Sequence, residues 1–245
     1  MTLKRSLLAI TAGLFLTTAL STVSLADTGE YERGLSAFKK RNYAEALTIW
    51  TPLAEAGNVA AQFNLARMYD NGIGTPEDDA TAAVWYSRAA ATGFTPAQRE
   101  LAMAYIEGDG VTADPAKGIQ LLHDAADAGD ADAEYHLGML YREGEVVTKD
   151  YSLAMKWYLT AAAQGHSEAQ YMIGFMYGSG YGVPQDFVMA YYYYSLAADE
   201  IDISVKAREH LAEYMSTDEI TRAMSLVTEQ RMIASTGQNL ATNNP

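Results

Sequence analysis

A step of 36 residues runs through most of this chain. WYSRAA at 85–90, LLHDAA at 121–126, WYLTAA at 157–162 and YYSLAA at 193–198 stand at that interval every time. Self-similarity at such a period marks supersecondary units that cannot bury their own apolar faces and so stack on their neighbours. The spacing therefore predicts an all-α fold, a solenoid of stacked antiparallel helix pairs. Solenoids of this kind expose long surfaces, so a function is sought on a surface rather than in a closed core.

Two stripes define the helices of each unit. Ala82, Trp85, Tyr86, Ala89 and Ala90 fall at i, i+3, i+4, i+7 and i+8, which places them on one side of an α-helix. The same stripe returns as Gly118, Leu121, Leu122, Ala125 and Ala126, then from Ala154 and from Ala190. The helix before it repeats Ala61, Leu65 and Tyr69 as Ala97, Leu101, Tyr105, as Ala133, Leu137, Tyr141 and as Ala169, Ile173, Tyr177. Large side chains alternating with methyl groups let adjacent helices interdigitate, so these positions are expected to form the core.

The turns repeat as well. Gly72, Gly108, Gly144 and Gly180 stand where a helix must end and the chain reverse, which calls for a positive φ, and Gly74, Gly110 and Gly182 add a second permissive point. Val146 breaks that second position. Asp78, Asp114, Asp150 and Asp186 are expected to cap the second helix of each unit. For the first helices, Thr95-Pro96-Ala97-Gln98 and Ser167-Glu168-Ala169-Gln170 read as capping boxes, with Asn58 and Asp130 as caps in the other two units.

The pattern AQYMIGFMYGSGYGVPQDF at 169–187, followed by A-x-x-W-Y-x-x-A-A, resembles the Sel-one-like repeat, a relative of the tetratricopeptide repeat. The resemblance implies a right-handed superhelix with four such units over 59–201. The segment 27–58 is closer to a plain tetratricopeptide pair, with Asn42-Tyr43 between its helices. Beyond Glu200 the cadence slips, and 202–235 reads as capping helices that shield the last apolar stripe. A frayed tail is expected at 236–245.

The opening 26 residues read as a cleavable export signal. Lys4 and Arg5 precede an apolar run at 7–20, and Ser24-Leu25-Ala26 ends it with the small residues a signal peptidase accepts. An uncleaved anchor over 6–26 is the alternative. Export together with the absence of cysteine predicts the periplasm, with secretion as a further possibility, and no stable membrane insertion once the signal is removed. Loss of Lys4 and Arg5 takes the formal charge from −14 to −16. A surface this acidic repels nucleic acid and favours neutral or basic protein partners.

Residue chemistry points away from catalysis. With no cysteine there is no thiol nucleophile, thiolate ligand or disulfide. His123, His136, His166 and His210 form no zinc spacing, and the acid clusters Asp78-Asp79 and Asp70 to Glu77 lack the alternating oxygen ligands and closing glutamate of a calcium loop; the acids read as caps and solubilising groups. Gly178-Ser179-Gly180-Tyr181-Gly182 joins two helices, without the strand that a phosphate loop or a nucleophile elbow requires. No metal and no cofactor are expected.

Comparing copies isolates three rings that the repeat does not demand. Tyr181 aligns with Ile73, Asp109 and Glu145, Tyr192 with Val84, Gln120 and Lys156, and Phe94 with Asn58, Asp130 and His166. Exposed aromatics concentrate at interfaces, so Tyr181, Tyr192 and Phe94 are the candidate partner-binding residues; burial of Tyr192 against the C-terminal cap is the competing reading. The resemblance implies a non-enzymatic scaffold or adaptor for a protein or peptide, of the kind that regulates envelope signalling or assembly. A glycan or peptidoglycan module is the alternative, its sugars stacking on Tyr181 and Tyr192. A β-lactam-binding or hydrolysing enzyme is the third reading, although the branch of the family with that activity is rich in paired cysteines.

Overall fold

The computed structural model describes residues 25–236, which form twelve α-helices with no strand among them. The signal segment read at 1–26 lies outside them except for Leu25 and Ala26, and the tail at 236–245 except for Thr236. Five hairpins follow one another: α1 (Leu25–Lys39) with α2 (Tyr43–Glu55), α3 (Val59–Asp70) with α4 (Asp79–Ala90), α5 (Thr95–Glu107) with α6 (Pro115–Asp127), α7 (Ala131–Glu143) with α8 (Tyr151–Ala163), and α9 (Ser167–Ser179) with α10 (Phe187–Ala197). Each helix packs on the one before and the one after it. Tyr43, expected in the first turn, is instead the first residue of α2. Two more helices follow, α11 (Asp202–Ala212) and α12 (Thr217–Thr236). Among the described residues no helix is long and apolar enough to cross a membrane.

The ring stripe organises the core. Tyr86, Leu122, Tyr158 and Tyr194 are buried at the second large position of each unit. Their neighbours at the first position, Trp85, Leu121, Trp157 and Tyr193, are half-covered and each packs against the cluster of the preceding unit. Every hydrophobic cluster thus borrows a side chain from the next hairpin, so the core is continuous along the array. Burial of such a side chain contributes roughly 1.5–3 kcal/mol. The small residue opposite is part of the same fit: a Cβ at Gly138 would stand 2.6 Å from the Tyr158 ring.

Polar groups close the helix ends. Asp78, Asp114, Asp150 and Asp186 accept from the backbone N–H of Thr81, Lys117, Leu153 and Met189 at 3.0–3.1 Å. Their own backbone N–H groups donate to the carbonyls of Tyr69, Tyr105, Tyr141 and Tyr177, pinning each loop to the first helix of its unit. Asn58 and Asp130 cap α3 and α7 as expected.

The other two first helices are capped differently from the expectation. Thr95 and Ser167 are the first helical residues of α5 and α9, and the caps are Phe94 and His166, in strict register with Asn58 and Asp130. Nδ1 of His166 accepts from Ala169 N–H at 3.2 Å. Phe94 makes no capping bond and packs edge-on against Phe63 at 5.3 Å instead, so apolar burial stands in for the cap.

Glycine fixes how one unit sits on the last. Gly74, Gly110 and Gly182 have φ of +76, +66 and +72, and a Cβ on each would collide with the residue that opens the previous unit's second helix, namely Tyr43, Asp79 and Tyr151. Backbone meets helix start there with no room for a side chain. In the fourth hairpin Val146 occupies the corresponding position, opposite Pro115 in register. Arg41 is the only non-glycine at positive φ among the described residues, so Val146 takes another backbone course and packs with Val147 against the Leu122 cluster.

Beyond α10 the stacking changes. α11 buries only Ser204, whereas α12 turns back to cover α10 with Ala223 and Val227. Ile203, Tyr214 and Met224 stay exposed.

The contact at Gly110 is open to direct test. Gly110→Ala adds a left-handed non-glycine residue and a clash with the Asp79 carbonyl, and should cost about 2–4 kcal/mol in chemical denaturation. Gly93→Ala has φ +84 but open space around the new methyl, and should cost only about 1–2 kcal/mol.

Candidate functional site

The loop contact at Gly110 carries Asp109 over the start of α4, beside Asp79. Asp70 at the end of α3 and Glu100 and Glu107 on α5 complete the surround of a cavity of about 180 Å³. Tyr86 lines its floor, almost fully buried, and its hydroxyl donates to Asp70 Oδ2 at 3.3 Å. The volume lies below the roughly 300–1,000 Å³ of sites for drug-sized ligands, and suits one long side chain or a small cation.

Five carboxylates converge here with little compensation. Arg99 pairs with Glu100 at 3.2 Å but is drawn away by Asp130 at 2.9 Å and Asp132 at 2.6 Å. Among the described residues Asp70, Asp79, Glu107 and Asp109 have no ion-pair partner. Burial, reinforced by repulsion from Glu100, Asp79 and Asp109, holds the Asp70 carboxyl above its ordinary range despite the Tyr86 hydrogen bond. Burial and then the neighbouring Asp109 raise Glu107. Burial also pushes the Tyr86 phenol far up, so it stays a neutral donor. An acidic hollow whose carboxylates crowd one another, Asp79 and Glu100 half-buried and Asp70, Glu107 and Asp109 exposed, is arranged to receive positive charge.

The same positions recur in register with different residues. One unit further, Asp70, Asp79, Tyr86 and Met103 become Ile106, Pro115, Leu122 and Met139, an apolar filling. Two units further they become Arg142, Tyr151, Tyr158 and Phe175, with Tyr181 in the place of Asp109. Tyr151 and Tyr181 stack at 4.9 Å with planes 9° apart, and Phe175 lies against Tyr181 at 5.8 Å. The Tyr158 hydroxyl is buried without a hydrogen-bond partner, since the carboxylate that serves Tyr86 is here an arginine.

Of the three candidate rings, Tyr181 is 42% exposed, on the row that also carries the acidic cavity. Tyr192 is half-buried, edge-on to Tyr193 at 4.9 Å and near Glu229 of α12, in line with the competing reading of burial against the C-terminal cap. Phe94 is half-buried at its cap position. No ring contact joins the three. The acids, read from sequence as caps and solubilising groups, divide: Asp78 is a cap, whereas Asp79 and Asp70 line the cavity. The comparison of copies that isolated Tyr181 would also have isolated them, had acidic as well as aromatic departures been followed.

Among the described residues no three His, Asp or Glu side chains are grouped as metal ligands. His123 sits edge-on to Trp157 at 5.5 Å, and His136 Nδ1 faces the Asp132 carbonyl at 2.7 Å. Gly180 and Gly182 both adopt left-handed backbone as parts of the turn between α9 and α10.

The Sel1 repeat family model matches five consecutive segments, 23–58, 59–94, 95–130, 131–166 and 167–202. The first takes in the pair that reads from sequence as closer to a plain tetratricopeptide unit. A Sel1 repeat protein from Oxalobacter formigenes is similar in structure, with 30% identity and a TM-score of 0.71 over 82% of this chain and 84% of that one. A protective antigen of uropathogenic Escherichia coli strains, which displays an SLR fold, is 28% identical with a TM-score of 0.70 over 86% of this chain; the chain spans about half, 46%, of that protein's length. An immunity protein from Pseudomonas aeruginosa shares the fold at 20% identity and a TM-score of 0.55, over 87% of this chain and 84% of that one. No curated protein matches the sequence.

The raised carboxyls give a pH dependence of defined sign. A folded-state value above the unfolded one means the native protein binds the proton more tightly, so the stability these groups contribute is present at low pH and lost as pH rises through their titration. Glu107→Gln should therefore raise the melting temperature at pH 7, and the gain should vanish near about pH 3–4. A lower melting temperature at pH 7 would contradict this electrostatic picture of the cavity.

Proposed function

The chain belongs to the Sel1 repeat family, and on that footing we propose that it is a non-enzymatic interaction module whose acidic cavity between α4 and α5 takes a lysine or arginine side chain of a protein partner. Sel1 repeats mediate protein–protein interaction as a rule, which supports a binding role. One observation carries the specific form of the reading: four carboxylates without ion-pair partners surround a side-chain-sized hollow whose floor is a neutral tyrosine donor. Leaving them uncompensated lowers the stability of the free protein, a cost that a cationic partner removes on binding.

We place the protein in the periplasm as an adaptor at the cell envelope. The charged start, apolar run and small-residue end at 1–26 support export. Mass spectrometry of protein recovered from the periplasm should find Asp27 as the first residue; recovery with Lys4 and Arg5 still attached would overturn the cleavage.

Binding to an oligolysine peptide tests the cavity. Calorimetric titration should show affinity that falls about tenfold or more between low and moderate salt, as expected for exposed charge pairing. The double variant Glu107→Gln, Asp109→Asn should weaken it about tenfold, because two charge-assisted contacts are lost. Affinity unchanged by that variant would refute the proposed site.

A further inference from the structure

The row of cavity positions has opposite chemistry at its two ends, and this decides what kind of segment the surface fits. Three cavity-lining positions, Asp79, Met103 and Asp109, map two units on to Tyr151, Phe175 and Tyr181, which are the three members of the stacked cluster. Gly182 holds this cluster together as Gly110 holds the acids: its Cβ position lies 2.6 Å from the Tyr151 carbonyl, which seats Tyr181 on Tyr151. Tyr181 keeps 42% of its surface in solvent while it stacks on Tyr151.

The uncompensated negative charge is lost along with the shape. Arg142 stands in the register of Asp70, its Nη1 lying 3.5 Å from Met172 Sδ and its Nη2 2.7 Å from Glu143. The Lys149 ammonium lies 5.8 Å from the Tyr151 ring centroid. A cation is attracted at the α4–α5 end, whereas the rings at the α8–α9 end, where Arg142 already has Glu143 as its partner, favour a flat apolar group.

Building on the proposed cationic cavity, we infer that the row recognises an extended, directional peptide segment: a lysine or arginine enters the acidic cavity, and an aromatic or proline residue further along lies on Tyr181. If each unit advances the array by about one helix spacing of 10 Å, two units span roughly 20 Å. An extended chain covers that distance in about six residues. Charge complementarity favours a peptide over a neutral glycan, because sugars stacking on Tyr181 would leave the carboxylate end of the same row without a role.

The test is panning of a random dodecapeptide library on the purified protein, followed by fluorescence anisotropy of the enriched peptides. Enriched sequences should carry Lys or Arg and, about six residues away, Trp, Tyr, Phe or Pro. Tyr181→Ala should weaken them about tenfold, as for an aromatic anchor at an interface, and leave a peptide lacking the ring residue unchanged. Circular dichroism confirms that the variant is folded. Enrichment of basic peptides indifferent to Tyr181→Ala but sensitive to Glu107→Gln with Asp109→Asn overturns this inference while the cationic cavity stands. Failure to enrich basic peptides at all overturns both. Tyr181-dependent pelleting with purified sacculi, with no such peptide enriched, overturns it in favour of a glycan.

Discussion

A close approach of backbone to helix start, permitted by glycine, sets the geometry on which the rest of the molecule depends. Gly74, Gly110 and Gly182 each bring the loop of one unit onto the first residue of the second helix in the unit before. Ring stacking in the core holds the units together through apolar area, which is not directional. The glycine contact supplies the missing direction by allowing one seating. It also presents the residue between the two loop glycines, Asp109 or Tyr181, to the preceding helix. The same contact that orders the array therefore builds the acidic cavity and the ring cluster on its surface.

Where glycine is absent the consequence is visible. Val146 cannot make the approach at positive φ, and the loop it belongs to packs inward on the Leu122 cluster. The matching positions are apolar, held by Ile106, Leu122 and Met139. The array is thus one scaffold with three different linings in succession. Selection on a repeat can vary the lining freely because the stripe, the caps and the loop bonds to Tyr69, Tyr105, Tyr141 and Tyr177 are supplied by other residues.

Much of the fold was legible from spacing because those features obey one-dimensional rules. The Ala and ring stripe, the Asp caps and the left-handed glycines depend on local periodicity and dihedral preference. Thr95 and Ser167 misled because a hydroxyl with glutamine three residues on is a good capping box locally, yet the 36-residue register assigns the cap one residue earlier. There the ring of Phe94 finds Phe63, and His166 uses Nδ1. The repeat pattern leaves Tyr192 open between exposure and burial against the C-terminal cap, because its cover comes from α12, which returns to α10 outside that pattern. The acidic cavity went unread for a related reason: its members come from α3, α4, α5 and a loop, so no single stretch displays them. Tyr181 was visible because one aromatic departure among polar copies stands out without any knowledge of what surrounds it.

The central claim is that partners meet the row of cavity positions. Photo-crosslinking in living cells tests it most directly, with a benzophenone amino acid placed at Met103, at Phe175, or at exposed Thr160 on α8, which lies nine residues and so about half a turn from Tyr151. The account predicts crosslinked partner protein from Met103 and Phe175 and none from Thr160. Crosslinks that form from Thr160 while both row positions stay silent would contradict it.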